Sequence, residues 1–209
     1  MTDAGDDLID MLDLLDAVEG IAYVVAPDFT IRAIGPQSWR TFAEANATPA
    51  LADSQGIVGK SLFEFIAGDE VQAWYRRCFD AIARDERRSL TFEYRCDGPD
   101  CARECRLSIS AIGGKGAPRG YLFQSVVLHE RVRPPVTLFE PEQMLAAVQA
   151  QAHLPILTLC GICQRLHADK EADSWIEAEE YYRRGGSGDV RISHGICPRC
   201  VDIWEQDAA

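Results

Sequence analysis

Residues 89–130 read SLTFEYRCDGPDCARECRLSISAIGGKGAPRGYLFQSVVLHE, and apolar side chains recur at every second position in much of this stretch. This alternation predicts β-strands with one buried face. The strand segments are SLTFEYRC (89–96), ECRLSISAI (104–112) and GYLFQSVVLHE (120–130). Because the glycine-rich segment 113–120 supplies a turn, the stretch predicts three consecutive antiparallel strands.

A hairpin and several helices are predicted upstream of these strands. GIAYVVAPDFTIRAIG (20–35) contains two β-rich runs around a Pro-Asp turn. Short helices are predicted over 37–47 and 61–67, and a longer helix runs from an Asp69 cap to about Arg84. The apolar stripe of that longer helix comprises Val71, Trp74, Tyr75, Cys78, Phe79 and Ile82.

This order of elements predicts a single α+β domain over residues 18–132, and it resembles the PAS fold. The resemblance implies a PAS-like five-stranded antiparallel sheet with flanking helices. The N-terminal segment 1–17 is set apart from this domain. An amphipathic helix is predicted over residues 5–18, and it is expected to dock on a domain or to form a homodimer.

Two Cys-x-x-Cys pairs follow, in LCGICQRLH (159–167) and SHGICPRC (193–200). Each pair sets two thiolates on adjacent corners of a tetrahedron, so two pairs can close the coordination sphere of one Zn²⁺. The predicted ligands of this structural zinc site are Cys160, Cys163, Cys197 and Cys200. His167 or His194 could replace one thiolate, although four cysteines suffice.

The zinc-binding unit is predicted over residues 154–209, joined to the sheet domain by a linker and helix over 133–153. Because the 33 residues 164–196 separate the two pairs, they must carry a small fold. A helix capped by Asp173 or Ser174 is predicted there, followed by a glycine-rich loop. The packed face of that helix would contain Trp175, Ala178 and Tyr182. A separate helix in the linker would begin at Pro141 and end near Ala152.

The chain contains eight cysteines, and the role of the other four is left open. They could hold a second metal or an iron–sulfur cluster, but their spacing matches no common ligand set. Core or surface thiols are the preferred interpretation of Cys78, Cys96, Cys101 and Cys105.

The C-terminal pattern Cys-x-x-Cys, Trp, Glu-Glu-Tyr and Ser-His-Gly-Ile-Cys-Pro-x-Cys resembles bacterial signalling proteins in which such a segment follows a PAS domain. That resemblance implies a sensory or regulatory module. No phosphate loop, nucleophile elbow or His-Glu-x-x-His motif occurs, and an enzyme is not expected.

Composition restricts the partners and the location. The net charge of −12 disfavours nucleic acid, and no apolar run reaches about 18 residues, so no membrane span is expected. The acidic N-terminus lacks a basic leader region, which favours a cytoplasmic protein. A small-molecule ligand could bind among Trp74, Tyr75, Phe92 and Tyr94, but such aromatic stripes are more typical of a core.

The sequence therefore predicts a cytoplasmic, non-enzymatic module whose zinc unit docks a protein partner of a signalling pathway. Two alternatives stay open. Oxidation of the zinc ligands would make a thiol/zinc redox switch, and a nucleic-acid-binding zinc ribbon would require strongly salt-dependent binding.

Overall fold

The first part of the chain forms a five-stranded antiparallel sheet. The structure is a computed structural model that describes residues 10–45, 52–114, 117–140, 154–168 and 174–208. The strand order is β2-β1-β5-β4-β3, so the first and last strands in sequence pair at the centre. The longest pairing joins β4 to β5 and is antiparallel. The strands are β1 (Ile21–Val25), β2 (Ile31–Ile34), β3 (Ser89–Arg95), β4 (Cys101–Ile112) and β5 (Gly120–Val132).

Three helices flank this sheet: α1 (Met11–Ala17), α2 (Pro36–Ala45) and α3 (Asp69–Ala83). The apolar stripe of α3 packs on one face of the sheet, where the Phe79 ring lies 4.7 Å from that of Tyr121. On the other face Leu15 of α1 packs against Ala22 and Ala33. The predicted α+β fold, with its PAS-like sheet and flanking helices, is confirmed by this arrangement.

A second, four-stranded sheet has the order β8-β7-β6-β9 and contains the two cysteine pairs at one end. Its strands β6 and β9 are parallel, whereas its other pairings are antiparallel. The elements are β6 (Ile156–Cys160), β7 (Leu166–His167), β8 (Trp175–Ile176), α4 (Ala178–Arg183), β9 (Arg191–Gly195) and α5 (Pro198–Ala208). We call residues 154–168 and 174–208 the cysteine unit.

The segment after β5 packs into the core of the cysteine unit. A single 3₁₀ turn, Thr137–Phe139, presents Leu138 and Phe139 to the second sheet. The shared cluster consists of Val136, Leu138, Phe139, Leu157, Leu159, Leu166, Ala178 and Val190. Residues 136–139 therefore tie the end of the first sheet to the second.

The helix predicted from Asp173 or Ser174 was wrong at its start. Trp175 lies in β8 and pairs with His167, and their rings stack 5.1 Å apart. The helix α4 begins only at Ala178, with Glu177 as its N-cap. The cross-strand pairing of Trp175 overrides its local helical periodicity because it buries the ring against β7.

Smaller differences concern helix ends and strand lengths. Asp69 is the first residue of α3 rather than its cap, and Gly68 occupies the cap position. The helix predicted over 61–67 is a 3₁₀ turn, Leu62–Glu64, closed by a capping box with Ser61. The strand predicted from residue 104 begins at Cys101.

Several predictions fall on residues outside the described ranges: the start of the N-terminal helix, residues 46–47 and the helix beginning at Pro141. In the part of the chain that is described, no helix is long and apolar enough to span a bilayer. The domain bounds stay predictions.

Candidate metal centre

Parallel pairing of β6 and β9 explains how two distant cysteine pairs meet. Parallel strands end at the same edge of a sheet, and here Cys160 at the end of β6 lies opposite Gly195 at the end of β9. Each strand then enters a turn that carries a Cys-x-x-Cys pair. The first turn contains Cys163, and the second leads into α5.

The first turn is held by backbone hydrogen bonds across the cysteine pair. The Gln164 N–H donates to the Cys160 carbonyl at 2.9 Å, and the Cys160 N–H donates to the Arg165 carbonyl at 2.9 Å. Gln164 adopts a left-handed conformation with φ of 56°, which lets the chain reverse within a few residues. The turn thereby directs two sulfur atoms toward the same point.

The four sulfur atoms of Cys160, Cys163, Cys197 and Cys200 all lie within 4.8 Å of one another. The Cys163 and Cys197 Sγ atoms are 3.6 Å apart. Tetrahedral zinc with sulfur ligands at about 2.3 Å requires sulfur atoms about 3.8 Å apart. The donor set and its spacing therefore fit a metal ion that prefers four thiolates.

Hydrogen bonds among the four cysteines lower the pKa of some of these thiols and raise the pKa of others. Donation from Cys163, and also from Cys197 and Cys200, lowers the pKa of Cys160 below its usual range. The reciprocal bond to Cys160 raises the pKa of Cys163 and of Cys200. A cation that replaces the shared protons would satisfy all four sulfur atoms at once.

Positive side chains lie beside the sulfur group. Arg165 follows the first turn, and its Nε lies 2.9 Å from Glu177 Oε1. The same carboxylate is paired with Arg95 at the end of β3. Burial alone would raise the pKa of Glu177, but the guanidinium groups of Arg95 and Arg165 outweigh it and lower the pKa. Arg199 lines the same face.

Neither histidine considered as a replacement ligand belongs to the sulfur group in the described part of the chain. His167 stacks on Trp175, and its buried Nε2 has no hydrogen-bond partner among those residues. His194 lies on β9, where burial lowers its pKa. The geometry therefore favours four cysteines over three cysteines and a histidine.

The remaining cysteines form no second group of three or more potential ligands within the described ranges. Cys78 is buried in α3 within the main core. Burial raises the pKa of Cys96 to about 12 and also raises the pKa of Cys105. The absence of a second ligand group within the described ranges agrees with the preferred interpretation of these four cysteines as core or surface thiols.

The two turns pack directly on the PAS-like domain. Ile162 and Ile196, each adjacent to a cysteine, are partly buried and pack against the core cluster formed by α3 and the first sheet. The Ile196 N–H donates to Glu70 Oε2 at 3.3 Å, and a Cβ on Gly161 would lie 2.8 Å from Val71 Cγ2. The sulfur group is therefore built against the start of α3, a contact that no sequence pattern indicated.

A buried charge cluster links the end of the first sheet to the cysteine unit. The side chains of Asp97 and Arg133 are both fully buried, and Arg133 Nη1 lies 2.9 Å from Asp97 Oδ2. Asp97 also pairs with Arg95, and its own N–H donates to Gln164 Oε1 at 2.8 Å. Nothing in the sequence distinguished these residues from the many charged residues on the surface.

An open cleft of about 640 Å³ lies between β3, the first cysteine turn and α5. We call it the edge cleft. Trp74, Phe92 and Tyr94 contribute to its walls, together with Cys163 and Cys200. The aromatic residues also pack on one another, with the Trp74 and Phe92 rings 4.4 Å apart. The aromatic side chains considered as a ligand site therefore pack in the core and also form part of the cleft wall.

Replacing Gly68 by alanine should destabilise the contact between α3 and β9. Gly68 has φ of 89°, and an added Cβ would lie 2.6 Å from the His194 carbonyl oxygen. Gly59 provides a matched control, because its φ is also 89° but a Cβ there would meet no atom within 4 Å. In urea unfolding we expect a cost of about 1 kcal/mol for Gly59→Ala and about 2–4 kcal/mol for Gly68→Ala. Equal costs would contradict the tight approach.

Comparison with solved structures shows that this chain is similar in fold to PAS domains. The structure titled PAS domain from Bordetella pertussis BvgS is 14% identical and matches 66% of this chain and 91% of its own, with a TM-score of 0.41. A sensory box sensor histidine kinase from Vibrio cholerae is 16% identical, covering 56% of this chain and 86% of its own with a TM-score of 0.38.

The PAS domain of an HTR-like protein from Haloarcula marismortui is 18% identical and covers 56% of this chain and 88% of its own, with a TM-score of 0.37. No protein-family model and no curated protein matches the chain. The fold assignment stands on the strand order and helix placement described above.

Proposed function

We propose that this chain is a non-enzymatic sensory or regulatory module of the cytoplasm. In it a PAS-like domain is coupled to a structural zinc site, and the cysteine unit contributes to docking a protein partner of a signalling pathway. The N-terminal helix α1 would support a homodimer, as its exposed Met11 and Leu14 leave apolar surface available. A small-molecule signal would bind within the PAS-like domain.

The observation that supports the proposal is the packing of Ile162 and Ile196 against the core cluster of the PAS-like domain. Each isoleucine precedes a cysteine of the sulfur group, so a shift of α3 against the sheet would displace the metal ligands. Packed cores respond to such shifts by moving between discrete arrangements. A ligand that favours one arrangement would then change how the cysteine unit is presented.

A catalytic role for the metal has no support in the site. Four thiolates complete a tetrahedral shell, and catalytic zinc keeps a position for water or substrate. Cys160 and Cys197 are almost completely buried, which also keeps solvent from most of the shell. Zinc bound here would supply folding free energy and fix the two turns relative to each other.

The coupling is tested by measuring zinc release to a chromogenic chelator from Ile162→Ala and Ile196→Ala chains. Because either change removes a contact between the turns and the domain core, we expect zinc release to be about tenfold faster and the PAS-like domain to be less stable. Ile156→Ala is the control, since Ile156 is 59% exposed on β6. Release rates equal to that of the control in both variants would refute the coupling.

A thiol/zinc redox switch is the second candidate, and the position of Cys163 favours it. Cys163 is the half-buried member of the group, lines the edge cleft and has its Sγ 3.6 Å from that of Cys197. One hydrogen peroxide molecule and two protons from water would oxidise these two zinc-bound thiolates to a disulfide, form two water molecules and free the metal. A peroxide titration that released no zinc would exclude this function.

A nucleic-acid-binding zinc ribbon receives no such support. The net charge of −12 opposes a phosphate backbone. Near the sulfur group, Arg165 is already paired with Glu177. We therefore do not propose nucleic acid as a partner.

A further inference from the structure

The strand β3 forms one edge of the first sheet, and its backbone groups alternate between β4 and the outside. The Arg88 carbonyl accepts from the Ala111 N–H, and the Cys96 N–H donates to the Arg103 carbonyl. The backbone N–H and C=O groups of even-numbered β3 residues therefore point toward β4, and those of odd-numbered residues point away from the sheet.

One of these outward groups already holds another segment of chain. The Arg95 N–H donates to the Ile162 carbonyl at 2.7 Å, so the first cysteine turn begins to extend the sheet. The extension stops there. Among the described residues, no hydrogen bond reaches the outward backbone groups of Ser89, Thr91 or Glu93, which leaves an unfinished ladder.

The unfinished ladder opens into the edge cleft. The opposite wall is α5, which contributes Arg199 and Ile203, and Ile203 is 49% exposed. A strand rises about 3.4 Å per residue, so the outward groups from Ser89 to Glu93 extend over about 14 Å. The length and the two walls suit a single extended segment of about five residues.

We propose that the edge cleft binds an extended peptide segment of a partner protein as a sixth strand beside β3. This deepens the proposed function by assigning a docking site, and it rests on that function for the existence of a protein partner. Alternating backbone donors and acceptors at strand spacing recognise an extended chain better than a helix or a small molecule. The peptide would place an apolar side chain between Phe92 and Ile203.

The charges of the cleft favour a peptide with an acidic residue. Arg95 at the end of β3 is occupied by Asp97 and Glu177. Arg165 is occupied by Glu177. Arg106 and Arg199 both line the cleft and have no carboxylate within 4.0 Å in the described part of the chain, and they are the cations left for the partner.

A second copy of this chain fits the cleft less well than a single segment. Edge-to-edge pairing would bring a whole second sheet to β3, and α5 stands opposite this edge. A lone strand needs only the width between β3 and α5. The peptide is therefore the favoured occupant, and self-pairing becomes an outcome of the test.

The test compares Thr91→Pro with Thr91→Ala in the zinc-loaded full chain. Proline removes the outward N–H without removing a bond to β4, whereas alanine keeps that N–H. Both changes remove the Thr91 Oγ1 contact to Ser108 Oγ at 3.1 Å, so that loss is matched. The probes are fluorescent peptides selected on the natural chain from a displayed library of random segments of about twelve residues.

We expect Thr91→Pro to weaken peptide binding at least about tenfold and Thr91→Ala to change it by less than about twofold, by fluorescence anisotropy. N-methylation of alternate peptide amides should abolish binding to the natural chain, which tests the ladder even if Thr91→Pro fails to fold. Failure to select any peptide, or equal binding by both variants, would overturn the proposal. So would self-association that is lost in Thr91→Pro. Unchanged zinc release in Thr91→Pro separates this outcome from failure of the metal coupling.

Discussion

Removing the metal should unfold the cysteine unit and lower the thermal stability of the whole chain by more than about 10 °C. Structural zinc in small domains contributes about 10–16 kcal/mol of binding free energy, which is comparable with the net stability of a typical domain. The effect should spread to the PAS-like domain because Ile162 and Ile196 pack against its core cluster.

The measurement combines elemental analysis of the reduced chain, where we expect one zinc per chain, with thermal unfolding before and after chelation. Cys197→Ser should reproduce the chelated state. Cys96→Ser is the matched control, because Cys96 is a partly exposed free cysteine outside the sulfur group. Iron in place of zinc, or a chelated chain that melts within about 2 °C of the loaded one, would contradict the proposed centre.

Replacing Asp97 by asparagine should destabilise the zinc-loaded chain by about 3–5 kcal/mol. The change removes the carboxylate 2.9 Å from the fully buried Arg133 side chain and leaves only Glu179, whose Oε1 lies 3.6 Å from Arg133 Nη1. Loss of the nearer carboxylate costs more than the net value of the pair, because desolvation of the buried charge is then only partly offset.

Urea unfolding checks this expectation against an exposed ion pair. Arg84 Nε lies 2.8 Å from Glu86 Oε1, but both side chains are more than half exposed. Glu86→Ala should therefore cost less than about 0.5–1 kcal/mol. The double change Asp97→Asn with Arg133→Met should recover part of the loss, since it removes both charges. If Asp97→Asn costs no more than Glu86→Ala, the buried pair has no structural role.

The strands of the first sheet could be predicted because local pattern and burial agree there. Alternating residues of β3 and β4, such as Phe92 and Leu107, lie opposite each other in the antiparallel pairing of these two strands. The apolar stripe of α3 likewise follows the helical period, and its residues are buried except Tyr75, which is partly buried. Local sequence fails at Trp175, where pairing with His167 outweighs the helical periodicity.

The sequence by itself determined the α+β sheet domain and the four cysteines of the sulfur group, because strand alternation and Cys-x-x-Cys spacing are local properties of the chain. Only the tertiary structure decided that β6 and β9 run parallel and that Ile162 and Ile196 pack against the PAS-like core. It also decided that outward backbone groups of β3 have no partner among the described residues. These features depend on contacts between segments far apart in sequence. Burial and backbone hydrogen bonding select such contacts together, and no short pattern encodes them.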